Sequence, residues 1–287
     1  MKEAEASTAS CAREATPCPV IRCVLQGCGR FIMFRTISWH QWTDVADALV
    51  TDSAVFISLD EGIAQHANDL LTRCEAFLRS GAELEEDEKT MFPKRLGQHV
   101  SSERSVLQFK RGQPVPAVVP SEILDMVTLL AAFLGGVATT LIAFSGLDLE
   151  RSRALSLCDP REWVLNAVHY PSLPGSSGTL RFPPHRDWGI LALYPAIRGA
   201  GLQAQVGGKW RDVVPPPNTM FLYAGQTLTK MSDGRIPSLP HRVVQMTEDG
   251  RSALIYYADA SRTLRFPDGE TVGEYIDAKL RKIGQIP

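Results

Sequence analysis

From Trp163 onward the chain is cut by turn signals into short apolar or alternating runs, and this punctuation constrains the fold more than any other feature. Residues 164–168, 190–194, 202–206, 210–214, 220–223, 243–246 and 254–258 each read as a strand. Between them fall Pro171, Pro174-Gly175, Gly207-Gly208, Pro215-Pro216-Pro217, Asp233-Gly234 and Asp249-Gly250, which fix φ or tolerate positive φ and so end regular structure. Many short strands at close spacing predict a sandwich or barrel. The first half reads differently. Short strands at 34–38 and 54–59 flank a helix from 39 to about 50. Residues 61–79 carry a helical stripe of Ile63, Ala64, Ala67, Leu70, Leu71, Cys74, Phe77 and Leu78. Ser121 starts a second long helix that runs to about 145, before Gly146, and residues 272–282 return to helix. Helices first, a β core second and no internal repeat predict one α+β domain.

Composition narrows the partners. A formal net charge of -2, a pI near 6.3 and scattered Lys and Arg argue against nucleic acid. The segment 126–147 lacks charged residues and is long enough to cross a bilayer, but it holds Thr128, Thr139, Thr140, Ser145 and Gly135-Gly136 and is flanked by Asp125 and Asp148. It reads as a buried central helix, with no membrane role. Cys11, Cys18, Cys23 and Cys28 lie in a stretch mixing Ala, Ser, Thr and Glu, and their offsets are not those of a zinc site. Residues 1–33 are therefore expected to form a poorly ordered leader ahead of a single domain, 34–287. With no basic start followed by an apolar core, a cytoplasmic protein of reduced thiols is expected, with no signal for a particular oligomeric state.

The chemistry concentrates in His185-Arg186-Asp187 and His241. Residues two apart on a strand face the same side, so one strand end is expected to present His185 and Asp187 together while Arg186 faces away. His241 heads a later strand and supplies a third ligand. Two imidazoles and a carboxylate suit Fe(II) and leave open positions for oxygen and an organic co-substrate. Arg251 follows the turn Glu248-Asp249-Gly250 and offers a permanently charged, bidentate clamp for a carboxylate.

These residues, with Trp188-Gly189-Ile190-Leu191 after the triplet, Gly201-Leu202-Gln203, Trp210 and Pro240-His241-Arg242-Val243, resemble the 2-oxoglutarate/Fe(II)-dependent dioxygenase superfamily in its isopenicillin N synthase-like branch. Upstream, Ala54-Val55-Phe56-Ile57-Ser58-Leu59 and Gly62-Ile63 look like that branch's N-terminal region. The resemblance implies a double-stranded β-helix, or jelly roll, over about 161–265. A helical part at 34–160, including the long supporting helix, would precede it and a helix at 271–283 would follow. It further implies that His185, Asp187 and His241 ligate Fe(II), and that Arg251 and Tyr170 hold 2-oxoglutarate. The activity implied is an O2-consuming dioxygenase that hydroxylates, desaturates or cyclises a small-molecule metabolite, in specialised metabolism. His169, Arg181 and Phe182 are the candidate substrate residues. Two positions depart from the branch: Ala253 stands where Arg-x-Ser has its serine, and Val168 where Asn-x-Tyr has its asparagine. They keep open an oxidase of the isopenicillin N synthase or aminocyclopropane-carboxylate oxidase type, which uses the same iron site without 2-oxoglutarate.

Overall fold

Apart from one hairpin, successive strands of the second half cross between two sheets, the pattern that rolls a chain into a double-stranded β-helix. The computed structural model describes residues 31–32, 34–80, 97–100, 104–110, 115–144, 163–173, 175, 178–246 and 250–282. The core strands are β6 (Trp163–Tyr170), β7 (Leu180–His185), β8 (Leu191–Arg198), β9 (Leu202–Val206), β10 (Lys209–Val213), β11 (Thr219–Ala224), β12 (His241–Val244) and β13 (Arg251–Ala258). One sheet holds β10-β9-β12-β7 and the other β11-β8-β13-β6, with antiparallel pairing throughout this core.

Five further strands extend the sheets. β1 (Phe31–Ile32) pairs in parallel with β10, so the end of the expected leader joins the sheet; residues 1–30 lie outside the described residues. β2 (Thr36–Ser38) and β3 (Ala54–Ser58) continue the large sheet beyond β11. β4 (Gly97–Val100) and β5 (Ser105–Lys110) continue it beyond β6. The expectation of a helical 34–160 is corrected here. β5 alternates buried and half-buried residues, the signature of a strand with one face on a core.

The helices cover the outer face of the large sheet. α1 (Trp42–Asp52) and α2 (Glu61–Arg79) bury the stripes that their periodicity predicts, α2 through Ala64, Ala67, Leu70, Leu71, Cys74, Phe77 and Leu78. Burial pushes the Cys74 thiol up to about 12, so it acts as a small inert hydrophobe. α3 (Ser121–Phe144) is long and apolar enough to cross a membrane. Here it lays Val127, Leu130, Leu134, Val137, Leu141 and Ile142 into the same core as α1 and α2. α4 (Gln226–Met231) follows β11, and α5 (Val272–Lys282) closes the described chain. A second core fills the space between the sheets with Phe34, Phe56, Phe221, Tyr194, Tyr223 and Tyr170, all buried. The aromatic interior of the roll is where the predicted site residues converge.

Candidate active site

His185 ends β7, and Asp187 lies just past that end rather than on the same strand face. The two side chains meet because the chain turns, which corrects the alternation argument. N–H groups at the start of α4 hold that turn: Gln226 donates to the Asp187 carbonyl at 2.8 Å and Thr227 to the Trp188 carbonyl at 3.0 Å. Gly225 makes this approach possible, since a Cβ there would stand 2.2 Å from the Gly189 carbonyl oxygen. Arg186 points away, as expected, and donates to the Ser238 carbonyl and, at 3.2 Å, to the Ser238 hydroxyl. That contact ties the Asp187 turn to the segment leading into β12. His241, at the head of β12, is the direct cross-strand partner of His185.

The three side chains offer ligand atoms that all lie within 4.8 Å of one another. Nε2 of His185 is 3.5 Å from Asp187 Oδ1, and Nε2 of His241 is 3.8 Å from Oδ2. Each imidazole is set by a backbone carbonyl two residues earlier. His185 Nδ1 is 2.9 Å from the Pro183 oxygen, and His241 Nδ1 is 3.2 Å from that of Leu239. A carbonyl only accepts, so each Nδ1 carries the proton and each Nε2 turns its lone pair toward the shared space. Burial pushes His241 down to about 4, which keeps that lone pair unprotonated. Burial alone would raise Asp187, but His241 and His185 beside it and a hydrogen bond from Tyr223 outweigh this and hold it below the usual carboxylate range. Two neutral imidazoles and one carboxylate on one side of a common point fit a divalent metal such as Fe(II).

Sequence reasoning missed Tyr223. Its hydroxyl donates to Asp187 Oδ2 at 2.5 Å, lies 3.1 Å from His241 Nε2 and is 3.2 Å from the Tyr194 hydroxyl. The side chain is fully buried, and burial raises the phenol well above its ordinary range, with the Asp187 charge adding to the effect. The one signal was parity: Tyr223 shares a strand face with the interior Phe221.

Beside the metal-facing group lies a recess lined by Tyr170, Arg181, Val243, Val244, Gln245 and Arg251. Arg251 is the cross-strand neighbour of Tyr170 and is only 4% exposed. Its Nε and Nη2 have no hydrogen-bond partner. A buried guanidinium with orphaned donors is costly unless an anion completes it, so the donor set fits a carboxylate. Gly250 makes the placement possible. Its φ is +79°, and a Cβ there would meet the Tyr170 carbonyl oxygen at 2.5 Å.

The candidate substrate residues separate. Phe182 stays beside the metal ligands, edge-on to His185 with centroids 4.6 Å apart. Arg181 belongs to the recess instead, where it donates to Gln245 Oε1 and, at 2.8 Å, to the Pro171 carbonyl. Its guanidinium and that of Arg251 lie 5.9 and 5.8 Å from the Tyr170 ring. His169 is corrected outright. It alternates with the inward Tyr170, so it faces α2, with Nδ1 2.9 Å from the Ser252 hydroxyl and 3.9 Å from Glu75. Ser252 therefore turns outward as strand alternation predicts, while Ala253 and Val168 line the interior without a polar group.

Residues 162–259 match the family described as the 2OG-Fe(II) oxygenase superfamily. Gibberellin 2-beta-dioxygenase 1 of Arabidopsis thaliana is 31% identical over 110 residues, covering 36% of this chain and 33% of the relative. From the same plant, 1-aminocyclopropane-1-carboxylate oxidase 4 is 29% identical over 117 residues, 40% of this chain and 36% of its own length. The chain thus spans about a third of the length of these curated relatives. A Neurospora crassa protein, solved at full length in complex with alpha-KG and thymine, shares the fold with a TM-score of 0.70 at 15% identity, covering 86% of this chain and 96% of that one. The stretch that matches the 2OG-Fe(II) oxygenase superfamily holds the three metal-facing residues together with Tyr170 and Arg251 on a jelly roll.

Proposed function

We propose that the protein is an Fe(II)- and 2-oxoglutarate-dependent dioxygenase that oxidises a small-molecule metabolite. Arg251 carries this reading: a buried guanidinium with two orphaned donors shares the roll's interior with a facial set of three metal-ligating side chains. His185, Asp187 and His241 would hold Fe(II), with each Nδ1–H fixing the ring that presents Nε2. Arg251 would take the distal carboxylate of 2-oxoglutarate through its fork of donors, with Tyr170 beside it. When bound, Fe(II) and 2-oxoglutarate supply oxidative decarboxylation of the co-substrate to succinate and carbon dioxide, coupled to oxidation of a substrate C–H bond by O2. The protein's own part is placement and the exclusion of water. Tyr223 holds the Asp187 carboxylate from behind, and the aromatic interior formed by Phe221, Tyr194 and Tyr223 keeps bulk water from the reacting atoms.

The test is an anaerobic titration with Fe(II) and 2-oxoglutarate, followed by the visible charge-transfer band of the chelate. The wild-type protein should form the band. Arg251→Ala should weaken 2-oxoglutarate binding by at least a hundredfold while iron affinity changes little, since Arg251 is a carboxylate partner rather than a ligand. A second reading, an oxidase that uses the same iron site without 2-oxoglutarate, is favoured by one observation. Ser252 turns away and Ala253 brings no hydroxyl to the clamp. Succinate formed in step with product supports the first reading. Oxygen uptake with substrate, and neither band nor succinate, replaces it with the second.

A further inference from the structure

Asp187 lies past the end of β7, so the peptide groups on either side of its α-carbon are held by α4 rather than by a strand ladder. Gln226 alone takes both of them. Its backbone N–H donates to the Asp187 carbonyl at 2.8 Å, and its side-chain Nε2 donates to the Arg186 carbonyl at 2.7 Å. Those two oxygens belong to the planar groups that follow and precede the Asp187 α-carbon, so one residue sets both backbone dihedrals of a metal-facing residue. Thr227 continues the hold, with its N–H 3.0 Å and its hydroxyl 2.6 Å from the Trp188 carbonyl. The other end of the Gln226 amide meets α5. Lys279 Nζ donates to Gln226 Oε1 at 2.9 Å, and the Tyr275 hydroxyl is 3.5 Å from the same oxygen. A backbone carbonyl only accepts and an ammonium only donates, so the amide has one orientation, Nε2 to Arg186 and Oε1 to Lys279. Lys279 Nζ also sits 4.6 Å from the centroid of the Tyr275 ring and 6.0 Å from that of Trp188. The helix that carries Tyr275 and Lys279 has anchors of its own. Val272 is buried in the core shared with α1 and α2, Phe266 meets Tyr275 edge-on at 5.3 Å, and Arg262 donates to Asp277 at 2.6 Å.

Resting on the dioxygenase reading above, we infer that Gln226 is the positioning residue for Asp187, and that the C-terminal helix α5, through Lys279, holds Gln226 in place. Asp187 is placed from two sides. Tyr223 holds the carboxylate, whereas Gln226 holds the backbone from which it projects, so the two act on different torsions of one residue. A tilt of either peptide plane swings the carboxylate away from the imidazoles. His185 and His241 do not follow, because each stands on a strand paired with the other's. Chemistry restricts the residue at 226. Glu would set an oxygen against the Arg186 carbonyl, and Met would take this partner from both that carbonyl and the Lys279 ammonium. An amide donates at one end and accepts at the other, as both neighbours require. Gln226 reaches the metal-facing group only through Asp187. The order of that group is thereby coupled to a helix whose lysine lies 53 residues beyond Gln226.

The experiment uses the full chain with Gln226→Met, Lys279→Met and Lys279→Arg. Anaerobic calorimetry reads Co(II) affinity, the visible absorption of bound Co(II) reads site geometry, and hydrogen exchange of the metal-free protein reads the Gln226 amide itself. Gln226→Met should weaken Co(II) binding by about tenfold, the lower end of what groups that orient metal ligands contribute, and should shift the Co(II) spectrum. Lys279→Met should act in the same direction to a smaller extent. Lys279→Arg keeps a donor in that place and should stay close to wild type. In both Met variants the Gln226 amide should exchange faster while the amides of β8 and β13 keep their protection, which separates a loosened turn from a loosened fold. Lys279 is only partly buried, so Lys279→Met carries the test if Gln226→Met does not fold. Unchanged Co(II) affinity in Gln226→Met overturns the positioning role, and unchanged affinity and exchange in Lys279→Met overturn the part given to α5. Loss of protection that spreads to β8 and β13 makes Gln226 a residue of the fold alone and overturns the inference as well. A wild-type protein that binds Co(II) but forms no charge-transfer band with Fe(II) and 2-oxoglutarate would instead sink the dioxygenase reading and leave the hold on Asp187 standing.

Discussion

Tyr223 places a phenol at the point where two imidazoles and a carboxylate converge, and its hydrogen bond to Asp187 Oδ2 decides how that carboxylate is presented. With Oδ2 accepting from the phenol, Oδ1 is the oxygen that faces His185. Tyr223→Phe removes the donor and keeps the ring, so the aromatic packing survives while the carboxylate loses its fixed orientation. Groups that orient metal ligands typically contribute about 10–100-fold to metal affinity, and a fall within that range is expected for Co(II) or Mn(II) by anaerobic calorimetry. The same variant should lose about 1.5–3 kcal/mol of metal-free stability, as for a hydrogen bond to a charged group. An unchanged metal affinity would reduce Tyr223 to a space-filling role. His185, Asp187, His241 and Arg251 were legible in the sequence because the chemistry needs those residue types and the turn chemistry around them is plain. Tyr223 was not, since a tyrosine inside a strand run reads as core. The side from which Arg181 points depended on register. The β7–β12 pairing slips between His241 and Val243 and again before Val244, so counting by twos along β7 fails.

Strand pairing does for the co-substrate recess what the turn at Asp187 does for the metal-facing group. β13 lies between β6 and β8, and its first residue, Arg251, stands opposite the last of β6, Tyr170. Gly250 precedes this strand at positive φ, and a Cβ there would meet the Tyr170 carbonyl oxygen at 2.5 Å. Gly250→Ala therefore meets two penalties, a left-handed backbone on a residue with a Cβ and a contact that backbone atoms cannot relieve. Strain of this kind costs about 1–3 kcal/mol before the contact is counted. The expected outcome is a lower urea midpoint together with weaker 2-oxoglutarate binding, because relief moves Arg251 away from Tyr170. Loss of stability with 2-oxoglutarate affinity intact would show that the clamp does not depend on this corner. The core strands were readable from their alternation and turns, but β4 and β5 were not. β5 is a six-residue run preceded by Arg104 and ending in Lys110, and it becomes a strand by pairing with β6, a partner far along the chain. Long-range pairing overrides local pattern there. For α3 the pattern was a run of apolar residues, and the structure gives it a buried stripe and an exposed Leu129.

At the scale of the whole molecule, the roll encloses titratable groups that open solvent would leave in their ordinary ranges, and this makes metal-free stability depend on pH. His241 is the main case. Burial holds it at about 4 in the fold, below its usual value of 6.5, because the interior does not solvate an imidazolium. Between those two values the unfolded chain binds the proton and the folded chain does not. Stability therefore rises with pH through this window, is fully present above about 6.5, and is lost as pH falls toward 4. Asp187 acts in the same sense at lower pH. Its folded value lies below the ordinary 3.8, so its contribution is present above that point and fades only as acid protonates the folded carboxylate. Urea unfolding of the metal-free protein between pH 4.5 and 7.5 should show stability falling by roughly 1 kcal/mol per pH unit in mid-window. His241→Gln, which fills the site without a titrating group, should flatten most of that slope, although its absolute stability shifts as well. A wild-type profile that is flat between pH 4.5 and 6.5 would mean that water reaches His241, and with it that the roll does not form the dry interior on which the proposed chemistry depends.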